Sequence, residues 1–492
     1  MKKTSAIAIT LFALVFQIGR AQTPGEISYH DESVMPKGKM GERIQSIIST
    51  VNSNDAERIR RFMNEECTEK FRDFAPMDRH ITVWRSVYME TGGLDFHSIR
   101  TYVPERKDET VVILKDRNYE AWRGLIIVFA DKKDYLVDGL QFTPARPPSN
   151  VDESELTESL LIKQVESLMK GLIERDVFSG AVLVAKGDDV LLVRAGGEAS
   201  KRFHVPNTID TKFNLGSMNK MFTSTAIVQL VEKGMLSFND PISKYVDESW
   251  LPRDITAKIK VHHLLTHTSG LGSYFNETFS NGSRALYRNL EDYKPLVKDE
   301  KPEFEPGERW RYSNTGMFLL GVVIEGVTGQ NYFDYIRKNI YEPAGMKNTD
   351  CYEMDYPVEN LAIGYSPDPE SEYGWQNNYY KHVVKGGPAG GGFSTVGDLH
   401  RFARALLQGK LVSRESLEAM WKDQSGEGYG YGFRIEEGPS GKVVGHGGGF
   451  PGINGNLDIF IDRGYTVAVL SNVDRGASPL ASRIKELLGR VK

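Results

Sequence analysis

Two blocks of strand-forming sequence bracket a long helical middle, and this arrangement constrains the fold more than any other feature. At one end, Gly180-Ala181-Val182-Leu183-Val184-Ala185, a Gly187-Asp188-Asp189 turn and Val190-Leu191-Leu192-Val193 read as a hairpin. At the other, Asn456–Ile461 and Tyr465–Leu470 read as strands, followed by a short helix over Leu480–Leu488. The stretch between is helical in pattern, with loops rich in glycine and proline. Strands so far apart share a core only if both ends of the unit close one sheet, so the expectation is one mixed sheet packed against helices. An amphipathic helix carrying Leu160, Ile162, Val165, Leu168, Met169 and Leu172 opens the unit.

A smaller unit precedes it. Ile44, Ile47, Ile48 and Val51, then Ala56, Ile59, Phe62 and Met63, recur at helical steps, and Asn52-Ser53-Asn54-Asp55 between them suits a cap. The period then changes. Thr110–Leu114, Gly124–Phe129 and Lys133–Leu140 read as strands. Helices followed by antiparallel strands predict a small α+β domain over 38–146. Pro147-Pro148-Ser149-Asn150 marks a linker, taken as 147–157, ahead of the large domain at 158–492. Polar residues 22–37, with Pro24 and Pro36, read as a second linker, a tether.

At the N-terminus, Lys2 and Lys3 precede an apolar run from Ala6 to Ile18, then Gly19-Arg20-Ala21. This is the pattern of a secretory signal peptide over 1–21, cut after Ala21. An uncleaved anchor is the alternative, but the run is short of the ~20 residues a membrane span needs. No cysteine near the cut offers lipid attachment, and no later segment is apolar enough to span. A periplasmic or secreted protein is expected. The 61 basic and 66 acidic residues in 492 exclude a broadly basic nucleic-acid binder. Two cysteines exclude a disulfide scaffold and a Cys-rich zinc module. Cys67 and Cys351 fall in different domains; they are either two isolated thiols or, in an oxidising compartment, one bridge.

Ser-x-x-Lys occurs at Ser217–Lys220, Ser167–Lys170 and Ser482–Lys485. Residues three apart share a helix face, so hydroxyl and amine can meet, and a lysine whose pKa is lowered by burial can take the serine proton. Context separates the three. Ser217 follows Phe213-Asn214-Leu215-Gly216 and leads into the apolar run Ala226–Val231, which places it at the start of a buried helix. Free backbone N–H groups there can hold an oxyanion. A plain N-cap serine is the alternative. Tyr-x-Asn also occurs three times. Tyr274-Phe275-Asn276 and Tyr287-Arg288-Asn289 lie in polar sequence, whereas Tyr312-Ser313-Asn314 sits between Pro306-Gly307 and the apolar stretch Met317–Val327. A tyrosine there can project into a cleft, where a nearby lysine cation would lower its pKa and suit it to proton transfer; a loop tyrosine packed on the core is the alternative. His446-Gly447-Gly448-Gly449 follows the short strand Lys442–Val444, and its glycines leave backbone N–H groups open to substrate. Lys385-Gly386-Gly387 is a second such segment, ranked lower because it precedes a helix.

In this order the segments resemble the serine β-lactamase and penicillin-binding protein superfamily, especially its class C-like and D-aminopeptidase/esterase branches. The resemblance covers 158–492. It rests on Phe213–Lys220, His263-Leu264-Leu265-Thr266-His267-Thr268-Ser269-Gly270-Leu271, Pro306-Gly307 with Tyr312–Gly316, Pro343-Ala344-Gly345-Met346, and Gly445–Gly449 with Pro451-Gly452. It implies an antiparallel sheet flanked by helices, an inserted all-α lobe and a site between them. Ser217 would be the acylated nucleophile, Lys220 its base partner and Tyr312 a sharer of the proton work. Asn314 would bond substrate amide or Lys220. The N–H groups of Ser217 and Gly449 would form the oxyanion hole, with Gly447 and Gly448 beside the substrate. His446 stands where many members carry the lysine of a Lys-Thr-Gly triplet, and Gly447 where they carry the hydroxyl. That departure disfavours substrates with a carboxylate near the scissile bond. His262, His263 and His267 invite a zinc reading, but they match a structural stretch of the family; no metal or cofactor is expected. Residues 38–146 loosely resemble the NTF2-like cone fold.

The expected activity is acyl-enzyme hydrolysis of an amide or ester in a small molecule or peptide. A D-amino-acid peptidase or carboxypeptidase leads, an esterase follows, and a β-lactamase trails. A catalytically weak peptide- or glycan-binding protein is the rival from another class.

Overall fold

The computed structural model describes residues 28–492 apart from 107, 152, 153, 369 and 370, so the expected signal peptide over 1–21 lies outside the described residues. The chain forms two compact units that divide after Glu155.

The first unit places helices on one face of a five-stranded antiparallel sheet. In chain order these are β1 (Ser28–Glu32), α1 (Lys39–Ser53), α2 (Ala56–Glu65), α3 (Glu69–Arg72), α4 (Met77–Thr91), β2 (Leu94–Val103), β3 (Thr110–Asp116), β4 (Trp122–Phe129) and β5 (Val137–Pro144), with the strands paired in that sequence. The apolar stripes of α1 and α2 bury Ile44, Ile47, Ile48, Val51, Ile59, Phe62 and Met63 against Val112, Leu114, Leu125 and Ile127. The Asp55 carboxylate caps α2 by accepting from Arg58 N at 2.6 Å.

Two expectations need correction here. The polar tether 22–37 contains the edge strand β1, held by a buried pair rather than by apolar residues. Arg100 Nε and Nη2 each donate to the Asp31 carboxylate at 3.0 Å, with both side chains at most 1% exposed. Ser149 N joins that carboxylate at 2.7 Å, so the start of the expected 147–157 linker is fastened to the sheet. The third strand runs over Val137–Pro144 instead of Lys133–Leu140, because the Asp131 carboxylate accepts from Lys133 N and Asp134 N and turns the chain there. Cys67 is free and buried within this unit.

The second unit opens with α5 (Glu158–Glu174), β6 (Gly180–Lys186) and β7 (Asp189–Gly196). Within its helical middle lie α6 (Asn219–Glu232), α7 (Asn314–Thr328) and α8 (Val396–Leu407). It closes with β8 (Arg434–Gly438), β9 (Gly441–Phe450), β10 (Ile453–Phe460), β11 (Tyr465–Ser471) and α9 (Ala477–Gly489). The sheet order is β8-β9-β10-β11-β6-β7. Both ends of the unit meet where β11 pairs with β6, Val467 opposite Val184. Every pairing is antiparallel, which corrects the expectation of a mixed sheet.

Alternation along the strands serves two layers. Ala181, Leu183, Ala185, Ala468 and Leu470 join the core shared with α6, α7 and α8. Val182, Val184, Val467 and Val469 are buried on the other face, where α5 and α9 cover the sheet. Cys351 is free and buried in the helical side of this core. Among the described residues no helix is long and apolar enough to cross a membrane.

Candidate active site

The site begins at a tight turn. Phe213-Asn214 pairs with Phe393-Ser394, and the chain then turns through Gly216–Met218 into α6. Gly216 has φ 50°, a conformation costly for residues with a side chain. The Asn214 amide fastens the turn from within: its Oδ1 accepts from Gly216 N at 2.9 Å, and its Nδ2 donates to Gly391 O at 3.1 Å. Gly391 N donates back to Gly216 O at 3.0 Å. Ser217 occupies this turn, half-buried and facing a cleft of about 470 Å³. Ser167 and Ser482 lie inside α5 and α9.

Lys220, one turn on, is fully buried, because α6 is buried on nearly every side, 12 of its 14 residues. A helix of that kind shows no amphipathic period. Lys220 Nζ donates to Asn314 Oδ1 at 2.9 Å and to the Ala389 carbonyl at 2.6 Å. Burial, followed by the nearby Arg434 cation, holds its pKa well below the ordinary lysine value. An uncharged amine has two N–H bonds, and both are engaged by these oxygens. Its lone pair is left over, as a proton acceptor requires.

Tyr312 and Asn314 flank Ser313, the N-cap of α7. Ser313 Oγ accepts from Gly316 N at 2.8 Å and donates to Gly272 O at 2.9 Å, which fixes both neighbours. The Tyr312 phenol lies beside the Ser217 side chain, and Lys220 Nζ lies 4.8 Å from its ring centre. The expected lowering of the Tyr312 pKa is corrected. Burial pushes it up to about 12, with the Ser217 side chain and Arg434 opposing.

His446 is enclosed by its neighbours. It is 2% exposed, its Nε2 pairs with Tyr429 Oη at 3.0 Å and its Nδ1 with its neighbour's carbonyl, Gly447 O. Burial, followed by the Arg434 cation, keeps its pKa well below the usual histidine range. It is a neutral group turned into the protein, and not a titratable donor offered to substrate. Gly449 lines the cleft. Gly448 is packed against Leu215, where a β-carbon would overlap the carbonyl oxygen. Gly447 lies beside Asn456 and Gly455 rather than in the cleft lining.

Sequence reasoning passed over several cleft residues. Tyr274 and Phe275, read as lying in polar sequence, line it, together with His382, which precedes Lys385-Gly386-Gly387, and Gly390, which follows it. Lys385 itself pairs with Glu353 at 3.2 Å. The aromatic run Tyr274, Phe275, Phe279 was the available signal. The Ala389 carbonyl had none, because backbone oxygens carry no sequence mark. His262 turns to Tyr431, His263 to Lys260 N and His267 to Ser313 N. Among the described residues no group of three or more His, Cys, Asp or Glu is arranged to hold a metal ion.

An antiparallel sheet with a helical insertion, carrying a serine, a buried lysine and a tyrosine at their junction, defines the beta-lactamase-fold serine hydrolases. The chain belongs to the Beta-lactamase family, whose model matches residues 161–489. It is similar to Penicillin-binding protein 4* of Bacillus subtilis (strain 168), with 34% identity over 329 residues, 63% of this chain and 71% of that one. Among solved structures it resembles the penicillin binding protein from Bacillus halodurans, with TM-score 0.60, 31% identity, and 65% of this chain and 98% of that one covered. It also resembles a D-stereospecific amidohydrolase from Streptomyces sp., with TM-score 0.52, 28% identity, and 63% and 93% covered.

Proposed function

We propose that this protein is an exported serine hydrolase that cleaves an amide or ester through a Ser217 acyl-enzyme, with D-aminoacyl amides or peptides as the leading substrates. One observation carries the reading: the Tyr312 phenol and the Lys220 amine, whose pKa burial lowers, stand beside the Ser217 side chain.

With a pKa of about 12, Tyr312 is a neutral phenol at ordinary pH and serves as a relay. Ser217 Oγ attacks the substrate carbonyl and passes its proton to the Tyr312 oxygen, while the phenol proton moves to Lys220 Nζ. The carbonyl oxygen becomes an oxyanion held by the N–H groups of Ser217 and Gly449. Lys220 then returns its proton through Tyr312 to the departing amine or alcohol. Water repeats the sequence on the acyl-enzyme and regenerates Ser217. Asn314 holds Lys220 and is close enough to the cleft to bond a substrate amide.

The similarity to a D-stereospecific amidohydrolase supports an amide substrate, and the neutral His446 argues against a carboxylate-dependent β-lactamase. The test is intact-mass detection of a fluorophosphonate adduct, followed by a panel of D-alanyl peptides, p-nitrophenyl esters and a chromogenic cephalosporin. Labelling of the wild type and none of Ser217→Ala is expected. Full labelling of that variant would move the nucleophile elsewhere. Export is tested by N-terminal sequencing of the mature protein, expected to begin at Gln22.

A further inference from the structure

Resting on that reading, we infer that the subsite beside Ser217 accepts an uncharged aromatic group of the substrate, packed against the stacked rings of Phe275 and Phe450. The two rings come from distant parts of the chain. Phe275 follows Tyr274 in the helical lobe, and Phe450 ends β9 immediately after Gly449. Their centroids are 5.5 Å apart with planes at 30°, a stacked pair at the rim. Phe279 packs edge-on to Phe275 at 4.9 Å, and Ile453 continues the apolar wall.

No described lining residue of this cleft is Asp, Glu, Lys or Arg. Its one imidazole, His382, has its pKa lowered to about 4 by burial, so it carries no charge near neutrality. A carboxylate entering the subsite would lose water and gain no counter-charge. An aromatic ring would exchange water for flat apolar partners at stacking distance. The chemistry selects phenyl-bearing acyl or leaving groups over small ones and over carboxylate-bearing ones.

The test uses two ester series. One keeps p-nitrophenol as leaving group and compares phenylacetyl, acetyl and succinyl groups; the other keeps acetyl and compares benzyl with methyl esters. The phenyl member of at least one series is expected to exceed its small counterpart in kcat/KM by about tenfold or more, the order of factor that burying an aromatic side chain supplies. The succinyl ester is expected to be poorest. Phe275→Ala and Phe450→Ala should each reduce the phenyl-to-small ratio several-fold. Equal rates in both series, or a preference for succinyl, would overturn the inference while fluorophosphonate labelling of Ser217 still stood. Absence of that labelling would overturn the hydrolase reading instead.

Discussion

The amine of Lys220 donates to the backbone carbonyl of Ala389 at 2.6 Å, the shorter of its two hydrogen bonds. A side chain would have been an adjustable partner. A carbonyl in the run Gly386-Gly387-Pro388-Ala389-Gly390-Gly391-Gly392 is positioned by the same segment that braces the nucleophile turn through Gly391. The base and the serine are therefore located by one stretch of backbone.

The first prediction concerns pH. Lys220 acts as the free base, so activity should fall on acidification as the amine gains a proton. Burial sets its lowered pKa first, and the Arg434 cation adds to the lowering. Removing that cation in Arg434→Gln raises the pKa, and the acid limb of kcat/KM should move to higher pH. A limb that stays in place, or moves the other way, would separate Arg434 from Lys220.

The second concerns the bracing segment. A β-carbon on Gly390 would lie 2.8 Å from Gly216 O and 3.4 Å from Ser217 N. Backbone atoms are not free to swing aside, so Gly390→Ala should displace the nucleophile while the core stays packed. A shift near 1 Å at a reacting group can cost about a hundredfold. Fluorophosphonate labelling should slow by tenfold or more, with circular dichroism unchanged. An unaltered labelling rate would refute the bracing role.

Ser217, Lys220, Tyr312 and Asn314 are brought together, and these four were legible because each is a side chain in a motif whose flanking sequence is informative. What was hidden depends on contacts far apart in the chain. The Asn214 amide reaches residues 177 positions away, and nothing local marks it. Strand β1 was hidden because its anchor, Asp31, is charged and is buried only by virtue of Arg100. His446 was legible as a position but not as an environment. Only the packing around it shows that its Nε2 is taken up by Tyr429.

The third prediction concerns acid stability. His382 Nε2 accepts from Asn214 Nδ2 at 3.0 Å, and its Nδ1–H donates to Val383 O at 2.6 Å. A second proton would face the amide donor. Burial lowers its pKa from 6.5 to about 4. The unfolded chain therefore binds the proton first, so this contribution to stability is complete above about pH 6.5 and is lost as pH falls toward 4. The displacement corresponds to about 3 kcal/mol. Urea unfolding between pH 7 and 4 should show a shallower pH dependence for His382→Gln than for the wild type. Equal slopes would show that His382 does not contribute.

The last prediction separates the two positions at which this chain departs from a Lys-Thr-Gly triplet. A lysine at 446 would place its cation where the imidazole now sits, 2% exposed and within the field of Arg434. Breaking or miscasting a buried charge costs several kcal/mol, and no carboxylate is among the recorded partners of His446. His446→Lys should therefore lower Tm by several degrees and reduce activity on every substrate. It should not convert the enzyme to carboxylate-bearing substrates. Position 447 differs. A β-carbon there would meet Asn456 and Gly455 at 3.5 Å, ordinary contact distance, so Gly447→Thr should fold normally. Its hydroxyl alone supplies no charge, and cephalosporin turnover should remain slow. Thermal unfolding and kcat/KM on a cephalosporin and a neutral ester decide the matter. A stable His446→Lys variant with cephalosporin hydrolysis raised tenfold would mean that this side chain reaches substrate after all.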